Sequence, residues 1–97
     1  MNDYLVLLHD DAEAEIPSAL WPGYLGKLRD LGVFDGGSAI GAGVVVRTDG
    51  VAVGTTTHLG GYLRVRAESL TAVRALLEGN PVYESGGSVE IRVLPKS

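Results

Sequence analysis

Apolar residues recur along this chain at two spacings, one of period two and one of helical period, and the two alternate from end to end. Tyr4-Leu5-Val6-Leu7-Leu8 is a continuous apolar run, which predicts a strand buried on both faces and therefore central in its sheet. It stops at His9-Asp10-Asp11, and the acidic, alanine-rich stretch up to Glu15, ahead of Pro17, reads as a connecting loop. Leu20 or Trp21, Tyr24 or Leu25, Leu28 and Leu31 then recur at helical spacing and predict a helix from Ser18 or Pro22 to Leu31. Pro22 suits a first turn, where its missing N–H costs nothing. Gly32 fits the left-handed residue that closes a helix, with Val33 as the apolar contact beyond it. Gly23 and Gly26 inside this helix each cost about 0.5–1 kcal/mol against alanine, so it depends on packing.

From Gly36 to Gly54 the pattern turns to β. Val44-Val45-Val46-Arg47 and Val51-Ala52-Val53 flank Thr48-Asp49-Gly50, and an Asp-Gly pair can take positive φ at both central positions of a type I′ hairpin. Thr55-Thr56-Thr57-His58 leads into a third main strand, where Leu63 and Val65 alternate with Tyr62, Arg64 and Arg66. Ser69 is a good N-cap for a second helix carrying Leu70, Val73, Leu76 and Leu77, and Gly79 and Pro81 end it. In the last strand Val89, Ile91 and Val93 alternate with Ser88, Glu90, Arg92 and Leu94. The order is β-α-β(hairpin)-β-α-β, two split βαβ units. It predicts an α+β, ferredoxin-like βαββαβ fold with an extra β-hairpin: a four-stranded antiparallel sheet with two helices on one face. The first and third main strands take the central places.

Ninety-seven residues suit one domain over 1–97, and a chain this short buries roughly 60–65% of its unfolded surface, so its stability is small or shared with a partner. A net charge of -4 and a pI near 4.9 speak against nucleic acid, which calls for a basic face. Zero cysteines exclude disulfides, thiolate metal sites and a cysteine nucleophile. Apolar runs fall short of the ~18 residues of a membrane span, and Met1-Asn2-Asp3 lacks the basic start of a signal peptide, so a cytoplasmic protein is expected.

Taken in order, these residues resemble the YCII-related family, including its DGPF-containing branch. The matching pieces are Tyr4 to Leu8, Tyr24 to Leu28, Leu31-Gly32-Val33, Gly36-Gly37, Arg47-Thr48-Asp49-Gly50, Leu59-Gly60-Gly61-Tyr62, Glu68-Ser69-Leu70 and Gly86 to Arg92. The resemblance implies a ferredoxin-like domain that dimerises into an α+β barrel. It departs at two places. The DGPF segment is absent, with Gly54-Thr55-Thr56-Thr57-His58 in its place. The family's helix histidine, partner of an aspartate at that helix's end, falls on Tyr24, with Asp30 at or near the aspartate. A tyrosine does not replace imidazole as a base at neutral pH without a large shift.

Three residues are candidates for catalysis, and a fourth group for ligand binding. His9, beside Asp10 at the exit of the first strand, is a candidate general base, or a solvated turn residue. His58, in the loop where the family carries DGPF, is a candidate replacement for the missing histidine, or an exposed loop residue. Asp30 is the third catalytic candidate. Arg64, Arg66 and Arg92, with Tyr62 and Glu90, lie on the polar strand faces, where arginines hold a carboxylate or phosphate, or pair with acidic groups. Tyr62 and Tyr24 join them as candidate ligand-binding residues, and Trp21 as pocket wall. Two histidines without ligand spacing predict no metal site, and no cofactor is expected. The expected function is a homodimer binding a small organic ligand, anionic or aromatic, between sheet and helix, with cofactor-independent lyase or isomerase chemistry as one outcome. A non-catalytic dimerising or regulatory module is the alternative.

Overall fold

The computed structural model describes residues 1–52, Gly54 and residues 56–96. Among the described residues, six strands and three α-helices follow one another as β1 (Asn2–His9), α1 (Trp21–Asp30), β2 (Phe34–Ala39), β3 (Val45–Arg47), β4 (Gly50–Ala52), β5 (Leu59–Ala67), α2 (Leu70–Ala75), α3 (Pro81–Glu84) and β6 (Val89–Leu94), with a 3-10 turn at Ser18–Leu20 leading into α1. The main sheet is antiparallel with order β2-β5-β1-β6, so the first and third main strands are central, as the apolar run in β1 predicts. Strands β3 and β4 form a separate two-stranded hairpin. The architecture is the expected α+β one, with α3 as an addition.

Register sets which side chains share a face. Val65 and Tyr4 stand in one row with Phe34 and Val93, Leu63 and Val6 in the next with Gly37 and Ile91, and Gly61 and Leu8 in the third with Ala39 and Val89. The central members of these rows are buried together with Tyr24 and Leu28 of α1, Val73 of α2, Leu77 just beyond it and Val82 of α3. This is the core, and it lies between the helices and one side of the sheet. The opposite side carries Leu5 flanked by Arg64 and Arg92, Leu7 flanked by Tyr62 and Glu90, and Asp3 flanked by Arg66 and Leu94. Leu5 and Leu7 are half-buried rather than buried, so the expectation of full burial on both faces of β1 is met on the helix side alone.

The helix ends follow local chemistry. Leu31 caps α1, Gly32 takes φ +72°, and its N–H donates to the Arg29 carbonyl while that of Val33 donates to Leu28. That is the Schellman pattern expected of Gly32-Val33. At α2 the Ser69 hydroxyl accepts from the Ala72 N–H at 3.2 Å.

Four expectations need correcting. Leu31 and Leu70 are exposed, because each sits at the very end of its helix, beyond the stripe that faces the sheet. Val93 is exposed on the outermost strand. Pro81 opens a helix rather than closing the region: Asn80 is the N-cap of α3, its Oδ1 accepting from Val82 and Tyr83, and proline suits the first helical position. The hairpin turn is Thr48-Asp49, with Gly50 paired to Arg47 at φ +130°, and no non-glycine residue takes positive φ among the described residues. The type I′ turn at Asp49-Gly50 is therefore not formed. Val53 and Thr55, which the sequence reading placed in the hairpin and the following loop, lie outside the described residues.

Candidate functional site

Helix α1 has two working faces. Tyr24 and Leu28 point into the core, where the Tyr24 hydroxyl donates to the Leu76 carbonyl at 2.7 Å. Burial, partly offset by the neighbouring Asn80 amide, pushes the Tyr24 phenol above its ordinary pKa. Trp21, Leu25 and Arg29, spaced four apart, form the other face and overhang the sheet, as helical geometry dictates. Beneath them the sheet offers Gly36, Gly37, Gly60 and Gly61, so the floor has almost no side chains.

The result is a cleft of about 430 Å³ between α1 and the sheet, closed at its sides by Leu8, Phe34 and Leu63. The bare floor has a backbone cause. A Cβ on Gly37 would stand 2.6 Å from the Tyr62 carbonyl oxygen and 2.8 Å from the Leu63 side chain, so β2 can approach β5 this closely only with glycine there. Gly36, at φ +95°, sits in the irregular register between Phe34 and Gly37. At one wall the Arg29 guanidinium carbon lies 5.1 Å from the Phe34 ring centre, a cation–π geometry that places a positive charge beside an apolar chamber.

A second, smaller pocket of about 230 Å³ adjoins the first, sharing Leu8, Trp21 and Gly60 and adding His9, Asp10, Ser18 and Ile16. His9 Nε2 is 3.0 Å from Glu90 Oε1 on the neighbouring strand. The His58 ring packs against that of His9, centroids 4.6 Å apart and tilted by 57°, and the Asp10 N–H donates to the His58 carbonyl. Next to them the Ser88 hydroxyl and backbone N–H both donate to Asp11, at 2.6 and 2.7 Å. These two bonds hold the Asp11 carboxyl below its ordinary pKa.

The structure therefore brings His9 and His58 together, and adds Glu90 to them. Asp30 lies exposed at the end of α1 and lines neither pocket. Arg64, Arg66 and Arg92 stand on the far side of the sheet, each near a carboxylate: Arg64 to Asp35 at 3.8 Å, Arg66 to Asp35 at 3.5 Å and to Asp3 at 3.6 Å, Arg92 to Glu90 at 3.5 Å. None of the three lines the cleft. Tyr62 borders the cleft, and Tyr24 stays behind it in the core. Sequence reasoning missed Arg29, Leu25 and Phe34; the four-residue spacing from Trp21 to Arg29 was the available signal. Among the described residues no group of three or more His, Asp or Glu is placed to hold a metal ion, and no helix is long and apolar enough to cross a membrane.

A model of the YCII-related domain matches residues 4–96. Among solved structures, the chain is similar to the 5-chloro-2-hydroxyhydroquinone dehydrochlorinase of Burkholderia phenoliruptrix AC1100 in complex with 2,5-dihydroxybenzoquinone. The two share 19% identity and a TM-score of 0.59, over 98% of this chain and 95% of that one, a likeness of fold. No curated protein matches.

Proposed function

This chain belongs to the YCII-related family, and on that premise we propose that it binds a small, flat organic ligand, aromatic and carrying a negative charge, in the cleft under α1. The observation that carries the reading is the cleft itself: Trp21, Leu25 and Phe34 above a glycine floor, with Arg29 at the wall. A slot with apolar faces and one cation selects a ring for its faces and an anionic substituent for its edge. Its volume suits a single ring with substituents. The dehydrochlorinase of like fold, which carries 2,5-dihydroxybenzoquinone, adds support for a ligand of that size. Cofactor-independent elimination or isomerisation is the chemistry this reading favours, in a homodimer assembled through the open face of the sheet.

A thermal-shift screen of benzoates, phenols and quinones tests the reading. The expected result is a stabilising shift that Trp21→Ala and Arg29→Ala each abolish. Shifts unchanged in both variants would place the ligand elsewhere.

One observation favours a second, non-catalytic reading. By the resemblance drawn from the sequence the family's helix histidine falls on Tyr24, whose hydroxyl is committed to the Leu76 carbonyl, and Asp30 is exposed outside both pockets. A chain without that dyad can keep the cleft as a binding site alone. Turnover of any ligand found in the screen separates the two.

A further inference from the structure

We propose that the outer edge of β6 pairs with the same edge of a second copy, antiparallel about a two-fold axis at Ile91, so that the two sheets run on as one. β6 is the last strand of its sheet, with β1 on one side and no strand on the other among the described residues. Its backbone groups alternate in direction. The Ser88 carbonyl accepts from the His9 N–H at 3.0 Å, so in this register Ser88, Glu90, Arg92 and Leu94 turn their backbone groups toward β1. Val89, Ile91 and Val93 therefore aim theirs outward, away from the sheet. The outward run has definite ends: the Gly87 N–H is taken by the Val82 carbonyl, and Pro95 has no N–H to offer.

The side chains say what fits this edge. Laid antiparallel on itself about Ile91, Val89-Glu90-Ile91-Arg92-Val93 sets Val89 against Val93, Ile91 against Ile91, and Glu90 against Arg92 on both sides of the axis. Ile91 then faces its own copy in a hydrogen-bonded pair, flanked by Val89 with Val93, so each outward N–H meets an outward carbonyl. Moving the axis to Glu90 or to Arg92 opposes like charges, which selects the Ile91 register. The apolar members lie on the helix side of the sheet, where Val89 and Ile91 are half-buried and Val93 is 60% exposed, and the second copy covers them. Glu90 and Arg92 lie on the open side, 3.5 Å apart within their own strand, so the ion pairs stay exposed and fix register more than strength. The contact is small: it populates at high protein concentration and is dissociated in the micromolar range. It is separate from a packing of open faces, which buries Leu5 and Leu7 instead.

The chain has no cysteine, so introduced thiols report the register directly. Residues opposed in a hydrogen-bonded pair have Cα atoms about 5.5 Å apart, within disulfide range, whereas Val93 of one copy lies about 14 Å from Val93 of the other. At about 1 mM chain in a glutathione buffer, an equal mixture of Val89→Cys and isotope-labelled Val93→Cys should give mostly the mixed disulfide, and either variant alone should give little. Mass spectrometry separates the products. Sedimentation supplies the second reading: at the same concentration the wild-type protein should show a species of twice the mass found in the micromolar range. Val93→Pro removes an outward N–H and leaves the bonds to β1 intact, so it should lose that species while staying folded by circular dichroism. Val93→Lys, which puts a charge on the edge, takes its place if the proline variant does not fold. Mixed disulfide at or below the half that random pairing gives, or a mass rise kept in the folded variant, would overturn the proposal. A wild-type mass that does not rise overturns it too, and leaves the edge to a strand of some other protein.

Discussion

Asp11 and Tyr24 tie distant parts of the chain together, and they titrate at opposite ends of the pH scale. Asp11 fastens the loop after β1 to Ser88 through two hydrogen bonds, which lower its pKa in the folded state. Its contribution is complete above the unfolded value of 3.8 and is lost as pH falls through the lower folded value. Asp11→Asn should flatten that acid limb in urea titrations below about pH 4. The residue is exposed, so the effect is small. Tyr24 runs the other way. Its folded pKa is raised, so above about pH 10 the unfolded chain loses its proton first and stability falls. Tyr24→Phe should remove that alkaline slope and, by stripping the bond to the Leu76 carbonyl, lower stability at neutral pH by about 1 kcal/mol. An unchanged alkaline slope in the variant would show that Tyr24 is not the group responsible.

Among the elements, what could be read from the sequence was local in origin. Pro22, Gly32-Val33 and Ser69 announce helix ends because capping acts within a few residues, and each is found in that role. Pro81 misled because it was read as a stop, although Asn80-Pro81 is also a start signal. The site was less legible, because its parts are long-range. His9 and Glu90 are 81 residues apart, and their contact depends on the β1–β6 register, which no periodicity specifies. The cleft depends likewise on which face of α1 meets the glycines of β2 and β5. Glycines of the two kinds should respond oppositely. Gly37→Ala forces a Cβ onto the Tyr62 carbonyl and should destabilise by about 1–3 kcal/mol. Gly23→Ala meets nothing within 4 Å on α1 and should stabilise by about 0.5–1 kcal/mol. Urea midpoints measure both, and a tolerated Gly37→Ala would mean that β2 does not approach β5 as described.

For the whole molecule, the open side of the sheet bears on whether one chain is the complete unit. A sheet of this order with helices on one side leaves β1, its most apolar strand, half covered at Leu5 and Leu7. Around these leucines the arginines and carboxylates alternate, so the face is not a broad apolar patch. Its ion pairs, at 3.5–3.8 Å between half-exposed groups, contribute little to a lone chain. In the homodimer proposed above, a two-fold axis through this face would set arginines of one copy against carboxylates of the other. Leu5 and Leu7 would then be buried at the centre of that contact. A wild-type dimer at micromolar concentration, measured by sedimentation, is the expected outcome. Leu7→Glu, which places a charge at the centre of that contact, should give a folded monomer. A wild-type protein that sediments as a monomer, or a Leu7→Glu dimer, would sink the assignment of this face.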